Sequence, residues 1–143
     1  MSIARIIIRD VITARPEESV LDIARRMRDR RLGTIIVVDP EGRPMGIVSD
    51  RDVTVRLVAA ERDPKLTPVR DVMTPMPTTI LRDTSIEAAL ASMRMGHMRR
   101  LPVVDGMGTL VGLVTLDDIL RFLAEELKMI EELLEEEAPR RAS

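Results

Sequence analysis

Apolar and polar positions along this chain follow two periods, and the same succession occurs twice. Val20, Ile23, Ala24 and Met27 keep the i, i+3, i+4, i+7 spacing of a helix with one buried face, and Ile86, Ala89, Leu90 and Met93 repeat it. Thr34–Val38 and Leu101–Val104 are compact, β-branched apolar runs that predict buried strands. Each ends in an aspartate and a glycine-containing turn, DPEGRP at 39–44 and DGMGTL at 105–110. Met45–Val48 and Leu110–Val114 are strand-like again, so two hairpins are predicted, each followed by a helix starting near Ser49 or Thr115. From Ser19 to Thr54 the second copy lies 66 residues behind the first without a gap. Ahead of each copy stands a similar pentad, RDVIT at 9–13 and RDVMT at 70–74. A repeat of this length occurring only twice predicts two similar units packed on one another, with function between them.

Length turns this pattern into a domain plan. At 143 residues, two units of roughly 60 residues would each be marginal alone, so one cooperative body with a shared core is expected. The plan is a first repeat over 1–62, a linker over 63–69 holding prolines and few apolar residues, a second repeat over 70–123 and a helical extension with tail over 124–143. In the extension Leu116, Leu120, Leu123, Leu127, Ile130 and Leu134 are spaced 4, 3, 4, 3, 4, a seam that another helix could cover. Pro139 and the polar residues after it predict a frayed end.

Composition removes several classes of chemistry. With no cysteine there is no disulfide framework and no thiolate metal site, and the single aromatic, Phe122, leaves a core of Ile, Val, Leu, Met and Ala. No signal peptide is evident and no apolar run approaches the ~20 residues of a membrane span, so a cytoplasmic protein is expected. The single histidine, His97, has no metal-ligating companion and, between Met95 and Met98, reads as part of a packed turn. No phosphate loop, zinc-protease motif, calcium loop or nucleophile elbow is present, so neither a catalytic residue nor a metal ligand is assigned. The formal charge of −2 is uneven, since nine acids face two bases between Asp117 and Glu137. Arg25, Arg26, Arg28, Arg30 and Arg31 form a basic cluster interleaved with Asp22 and Asp29, the pattern of a solvated helix face. Without aromatic stacking platforms, and with an acidic tail, nucleic acid is disfavoured as a partner.

The informative element is the junction between second strand and last helix, Gly46-Ile-Val-Ser49-x-x-Asp52 in one copy and Gly112-Leu-Val-Thr115-x-x-Asp118 in the other. Ser49 with Asp52, and Thr115 with Asp118, have the form of a capping box with a shortened acid. A helix N-terminus also suits anions: the hydroxyl can meet a phosphate, and a carboxylate three residues on can accept both hydroxyls of a ribose. The twofold repetition strengthens that second reading.

On these residues (the RDVIT and RDVMT pentads, the VVD strands and the duplicated Gly-x-x-[Ser/Thr]-x-x-Asp junctions) the chain resembles a tandem pair of cystathionine-β-synthase-type (CBS) domains, a Bateman module, from about Ile7 to Leu123. The resemblance implies an α+β fold of two β-α-β-β-α units packed sheet to sheet with pseudo-twofold symmetry. It also implies two clefts for adenosine-containing ligands (AMP, ADP, ATP or S-adenosylmethionine) and a homodimeric disc. Carried onto this sequence, one cleft combines Asp52 for the ribose and Ser49 with Arg99 for phosphate. The wall from Thr74 to Ile80, with Thr78 and Ile80 at the adenine, and Met98 complete it. The other combines Thr115 and Asp118 with Thr13, Leu32 and Gly33. There Gly33 replaces Arg99, and the stretch after RDVIT is five residues shorter than after RDVMT, so the first unit is expected to lack its leading strand and the Asp118 cleft to bind weakly.

Three functions compete at this stage. One is a regulatory module that senses adenine nucleotides without a required cofactor and signals in trans to an unidentified protein. Another is an adaptor with degenerate clefts acting through the Leu120–Leu134 seam, and the last is nucleic-acid binding through Arg25–Arg31. An enzyme is the least favoured class.

Overall fold

The computed structural model describes residues 1–75 and 78–142, with side chains as far as Glu137 in the last helix. Its strands are β1 (Thr13–Ala14), β2 (Thr34–Val38), β3 (Pro44–Ser49), β4 (Thr74–Pro75), β5 (Ile80–Leu81), β6 (Arg100–Val104) and β7 (Leu110–Thr115). Its α-helices are α1 (Val20–Arg30), α2 (Asp50–Val53), α3 (Ile86–Gly96) and α4 (Leu116–Ala142). Two sheets result, β1-β2-β3-β4 and β5-β6-β7, each built on an antiparallel hairpin with a parallel strand beside it. The expected mixed architecture of two repeated units is therefore present. The helices start where hydroxyls satisfy their orphan amides: Ser19 Oγ accepts from Asp22 N at 3.2 Å and Ser85 Oγ from Ala88 N at 3.0 Å. Both end on a left-handed residue, Arg31 and His97.

The repeat extends further than the pentads suggested, and in a different register. Ile3 N donates to Thr84 O and Val69 N to Glu18 O, both at 2.8 Å; Ile86 N donates to Met1 O and Val20 N to Thr67 O, both at 2.9 Å. Ile8 bridges Leu113 as Thr74 pairs with Ile47, and Ala14 pairs with Val37 as Ile80 pairs with Val103. Each relation in one unit has its counterpart in the other between residues shifted by 66. The two pentads, 61 apart, are thus not counterparts: RDVMT occupies the place of residues 4–8, and RDVIT that of residues 75–79. Burial decides the register, because Ile3, Ile6 and Ile7 hold the same apolar phase as Val69, Val72 and Met73. Two expectations fall with it. No five-residue deletion exists, and the first unit keeps its leading strand, β1, of the same length as β5.

These leading segments cross between units. Val69 and Val72, fully buried, belong with Val20, Ile23, Ile35 and Val48 of the first core, whereas Ile3 belongs with Ile86, Leu101 and Val114 of the second. The expected shared core is thus two clusters, each closed by a segment that sequence order would give to the other. Residues 63–69, expected to be a linker, are anchored at their end: Thr67 is 3% exposed and donates its hydroxyl to Asp63 O at 2.7 Å, and Leu21 N donates to Pro64 O at 3.1 Å, while Leu66 is 81% exposed. The hairpin turns meet between the units, where Leu110 N donates to Gly42 O at 2.9 Å. The reciprocal bond is chemically impossible, because Pro44 stands at the place of Leu110 and has no amide hydrogen. Beyond the second core α4 continues outward to Ala142, past Pro139, where fraying was expected.

Candidate functional site

Two of the expected residues form one compact motif at the end of β3. Ser49 Oγ accepts from Asp52 N at 3.1 Å and Asp52 Oδ2 accepts from Ser49 N at 2.9 Å, a closed capping box at the start of α2. The other carboxylate oxygen, Oδ1, is held more loosely. It accepts from Thr74 Oγ1 at 3.3 Å and has Arg56 Nε at 3.9 Å. Arg56 in turn donates from Nη1 to Met73 O at 2.7 Å and to Val72 O at 3.4 Å, fastening the crossing segment beside the carboxylate. After only four residues α2 widens into a π turn over Thr54–Val58, so its helix dipole is small and recognition of an anion falls to side chains.

Those side chains come from the other unit. A cavity of about 230 Å³ lies between Ser49, Asp52 and Thr74 on one side and Met98, Arg99 and Arg100 on the other. Arg99 and Arg100 are exposed, and among the described residues neither guanidinium is paired with a carboxylate. Their backbone is fixed: Arg99 O accepts from Leu116 N at 2.8 Å, and Arg100 pairs with Thr115 across β6 and β7. A carboxylate oxygen with spare accepting capacity thus borders the same cavity as two arginines that have no carboxylate partner among the described residues. Such groups bind phosphate through paired donors.

The structure brings Ser49, Asp52, Thr74, Met98 and Arg99 together and leaves two predicted residues elsewhere. Ile80 is 7% exposed in the second core, and neither it nor Thr78 lines the cavity. Met76 and Pro77, within the expected wall, lie outside the described residues. Arg100 and Arg56 were not anticipated. Arg56 was detectable, standing one helical turn after Asp52 in a stretch that continues a helix. His97 caps α3 in the left-handed region and lines the same cavity, exposed rather than packed, and its neighbour Met95 is 84% exposed.

The second cleft has different chemistry. Thr115 Oγ1 accepts from Asp118 N at 3.1 Å and donates to Asp118 Oδ2 at 2.7 Å, while Asp118 Oδ1 meets Arg121 Nη1 at 3.3 Å. Ile8 stands in the place of Thr74, Phe122 in that of Arg56 and Gly33 in that of Arg99. A Cβ on Gly33 would lie 3.5 Å from Asp50 Oδ2, so an acid lies beside the position that Arg99 holds in the other unit. Leu32 is half-buried against the first core. Thr13, matched to Thr74 through the pentads, is not its counterpart. Its carbonyl accepts from Arg26 Nη1 at 2.9 Å, and its side chain lines a separate cavity with Arg9, Val11 and Thr109. Part of the arginine cluster is neutralised, Arg26 by Glu18 at 2.6 Å and Arg28 by Asp29 at 2.8 Å.

The duplicated junctions, the crossing segments and the cavity between the units define a tandem pair of similar α+β domains. The family model described as CBS domain matches the chain twice, over residues 3–59 and 69–125, and the chain belongs to that family as a tandem pair. An uncharacterized protein of Methanopyrus kandleri is 34% identical over 141 residues, which cover 94% of this chain and 72% of that protein. The structure of a putative signal-transduction protein with CBS domains from Burkholderia ambifaria superposes with a TM-score of 0.76 at 30% identity, covering 86% of this chain and 93% of that one. CBSX2 in complex with AMP superposes with a TM-score of 0.73 at 26% identity, covering 89% and 98%. No helix among the described residues is long and apolar enough to cross a membrane.

Proposed function

We propose that this CBS pair is a regulatory module that binds a phosphorylated adenosine in the Asp52 cleft and reports its occupancy to a protein partner. The observation that carries the reading is one cavity lined both by Asp52 and by Arg99 and Arg100, which have no carboxylate partner among the described residues. Asp52 takes the ribose hydroxyls, Ser49 and Arg99 take phosphate, and Met98 and Thr74 line the walls. Two guanidinium groups favour AMP, ADP or ATP over S-adenosylmethionine, whose sulfonium they repel. The AMP complex of CBSX2 supports the same ligand class. The Asp118 cleft, with Gly33 beside Asp50 where the other has Arg99, is the weaker site. A ligand touching both units favours the arrangement it binds best, and only that difference in affinity drives a signal.

The test is isothermal titration of AMP, ADP, ATP and S-adenosylmethionine into the native chain and into Asp52→Ala, Arg99→Ala and Asp118→Ala. Expected is micromolar nucleotide binding that Asp52→Ala and Arg99→Ala weaken at least tenfold, the size of one lost charge-assisted hydrogen bond, and that Asp118→Ala leaves within about twofold. Folded protein that binds none of the four would leave the junctions as helix caps alone.

A further inference from the structure

The outer half of α4 is uncovered. Leu120, Leu127, Ile130 and Leu134 are 63, 67, 54 and 61% exposed, although their spacing is that of a helix-pairing seam. In heptad terms Leu120, Leu127 and Leu134 are a positions, with Leu116, Leu123 and Ile130 at d. The flanks are then Ala124 and Glu131 at e, and Glu126 and Leu133 at g. Leu133 is 62% exposed, which no contact within one chain explains.

The flanks discriminate between pairings. In a parallel pair each g residue faces the e residue five positions on in the other helix, so Glu126 would meet Glu131 twice, with no cation to offset either contact. In an antiparallel pair g faces g and e faces e. Glu126 then lies along Leu133, and Glu131 beside Ala124. Both like-charge contacts vanish, Leu133 gains the methylenes of Glu126 as cover, and the small residue at 124 leaves room for Glu131. The apolar layers close in the same register, Leu127 on Ile130 and Leu123 on Leu134, each formed twice. Of the remaining acids, Glu125, Glu132, Glu135 and Glu136 fall on the outer positions, in water, and Glu137, at d opposite Leu120, ends the apolar run.

We propose that the occupant of this seam is α4 of a second copy of the chain, paired antiparallel and centred between Lys128 and Met129. This contact is separate from the cleft between the CBS units and does not depend on nucleotide. Each helix end then reaches toward the other copy's second core, so the two second units are held at a fixed distance.

The chain contains no cysteine, which makes disulfide trapping clean. Full-length Leu127→Cys and Ile130→Cys chains are mixed, exchanged under reducing conditions and oxidised, alongside each variant alone. The expected result is a mixed 127–130 disulfide formed at least fivefold faster than either homodisulfide, with Ala124→Glu weakening the pair roughly fivefold by restoring a like-charge contact on both flanks. Rapid crosslinking of Leu127→Cys alone would mean a parallel pair and overturn the proposal. Failure of all three samples to crosslink faster than a Glu125→Cys surface control would overturn it as well, leaving the seam to a different protein. Circular dichroism of each variant confirms that the cores, which these positions do not touch, remain folded.

Discussion

Gly46 and Met73 claim one volume: a Cβ added to Gly46 would overlap the Met73 sulfur and lie 3.0 Å from the Thr74 carbonyl oxygen. Gly112 stands in the same relation to Ile7 and the Ile8 carbonyl. The first glycine of each Gly-x-x-[Ser/Thr]-x-x-Asp junction is therefore where the crossing segment lies against the hairpin. Gly46→Ala and Gly112→Ala should each cost about 1–3 kcal/mol by overpacking, read as a lowered urea midpoint at unchanged slope. Gly106, where a Cβ would meet nothing within 4 Å, is the control and should change little when made alanine.

The crossing itself predicts which truncations matter. Ile3 is fully buried in the second core, far along the chain from the residues it covers. Ile3→Ala is expected to destabilise by about 3 kcal/mol, as for other buried Ile→Ala changes. Hydrogen exchange locates the effect: protection should fall most in β6, β7 and α3. A loss confined to the first repeat would contradict the 66-residue register.

Arg56 links the cleft to the segment that closes it. Arg56→Met keeps the apolar stem but removes the donors to the Val72 and Met73 carbonyls, and should cost about 1–2 kcal/mol, discounted from a buried ion pair because the side chain is 44% exposed. The contact to Asp52 is also lost, so nucleotide affinity should change in titrations of Arg56→Met, whereas a substitution at its counterpart, Phe122, acts on the second core alone.

Acid should loosen the first unit before the second. The Arg26 guanidinium, hydrogen-bonded to Glu18 at 2.6 Å, holds the Glu18 carboxyl below its ordinary value near 4.5, against the opposing effect of burial. Because the folded-state pKa is the lower one, the contribution to stability is complete above about pH 4.5 and is lost as the pH falls through the folded-state value. Stability measured from pH 6 downward should therefore drop less in Glu18→Gln than in the native chain. Equal pH slopes would show that the pair contributes nothing.

Much of this protein was determined by local chemistry. The helices α1 and α3, the hairpins and the capped junctions follow from apolar spacing, β-branched runs, turn glycines and hydroxyl caps, all of which act within a few residues. The duplicated junction singled out Ser49 and Asp52, and the family resemblance it helps to carry put Arg99 beside them. Tertiary structure alone decided the register of the leading segments. The similarity of RDVIT to RDVMT is local, whereas the positions that fix the fold, Ile3 with Val69 and Ile6 with Val72, become equivalent only when each is buried in the opposite unit's core. For the same reason 63–69 looked like a linker, and Thr13 like a partner of Asp118. Arg100 entered the site because β6 begins at the cavity's edge, and although the spacing of Arg56 from Asp52 was legible, its bonds to the Val72 and Met73 carbonyls were not, because a backbone carbonyl carries no side-chain signature. Burial and main-chain hydrogen bonding act between residues distant in sequence, so their outcome is set by the folded arrangement.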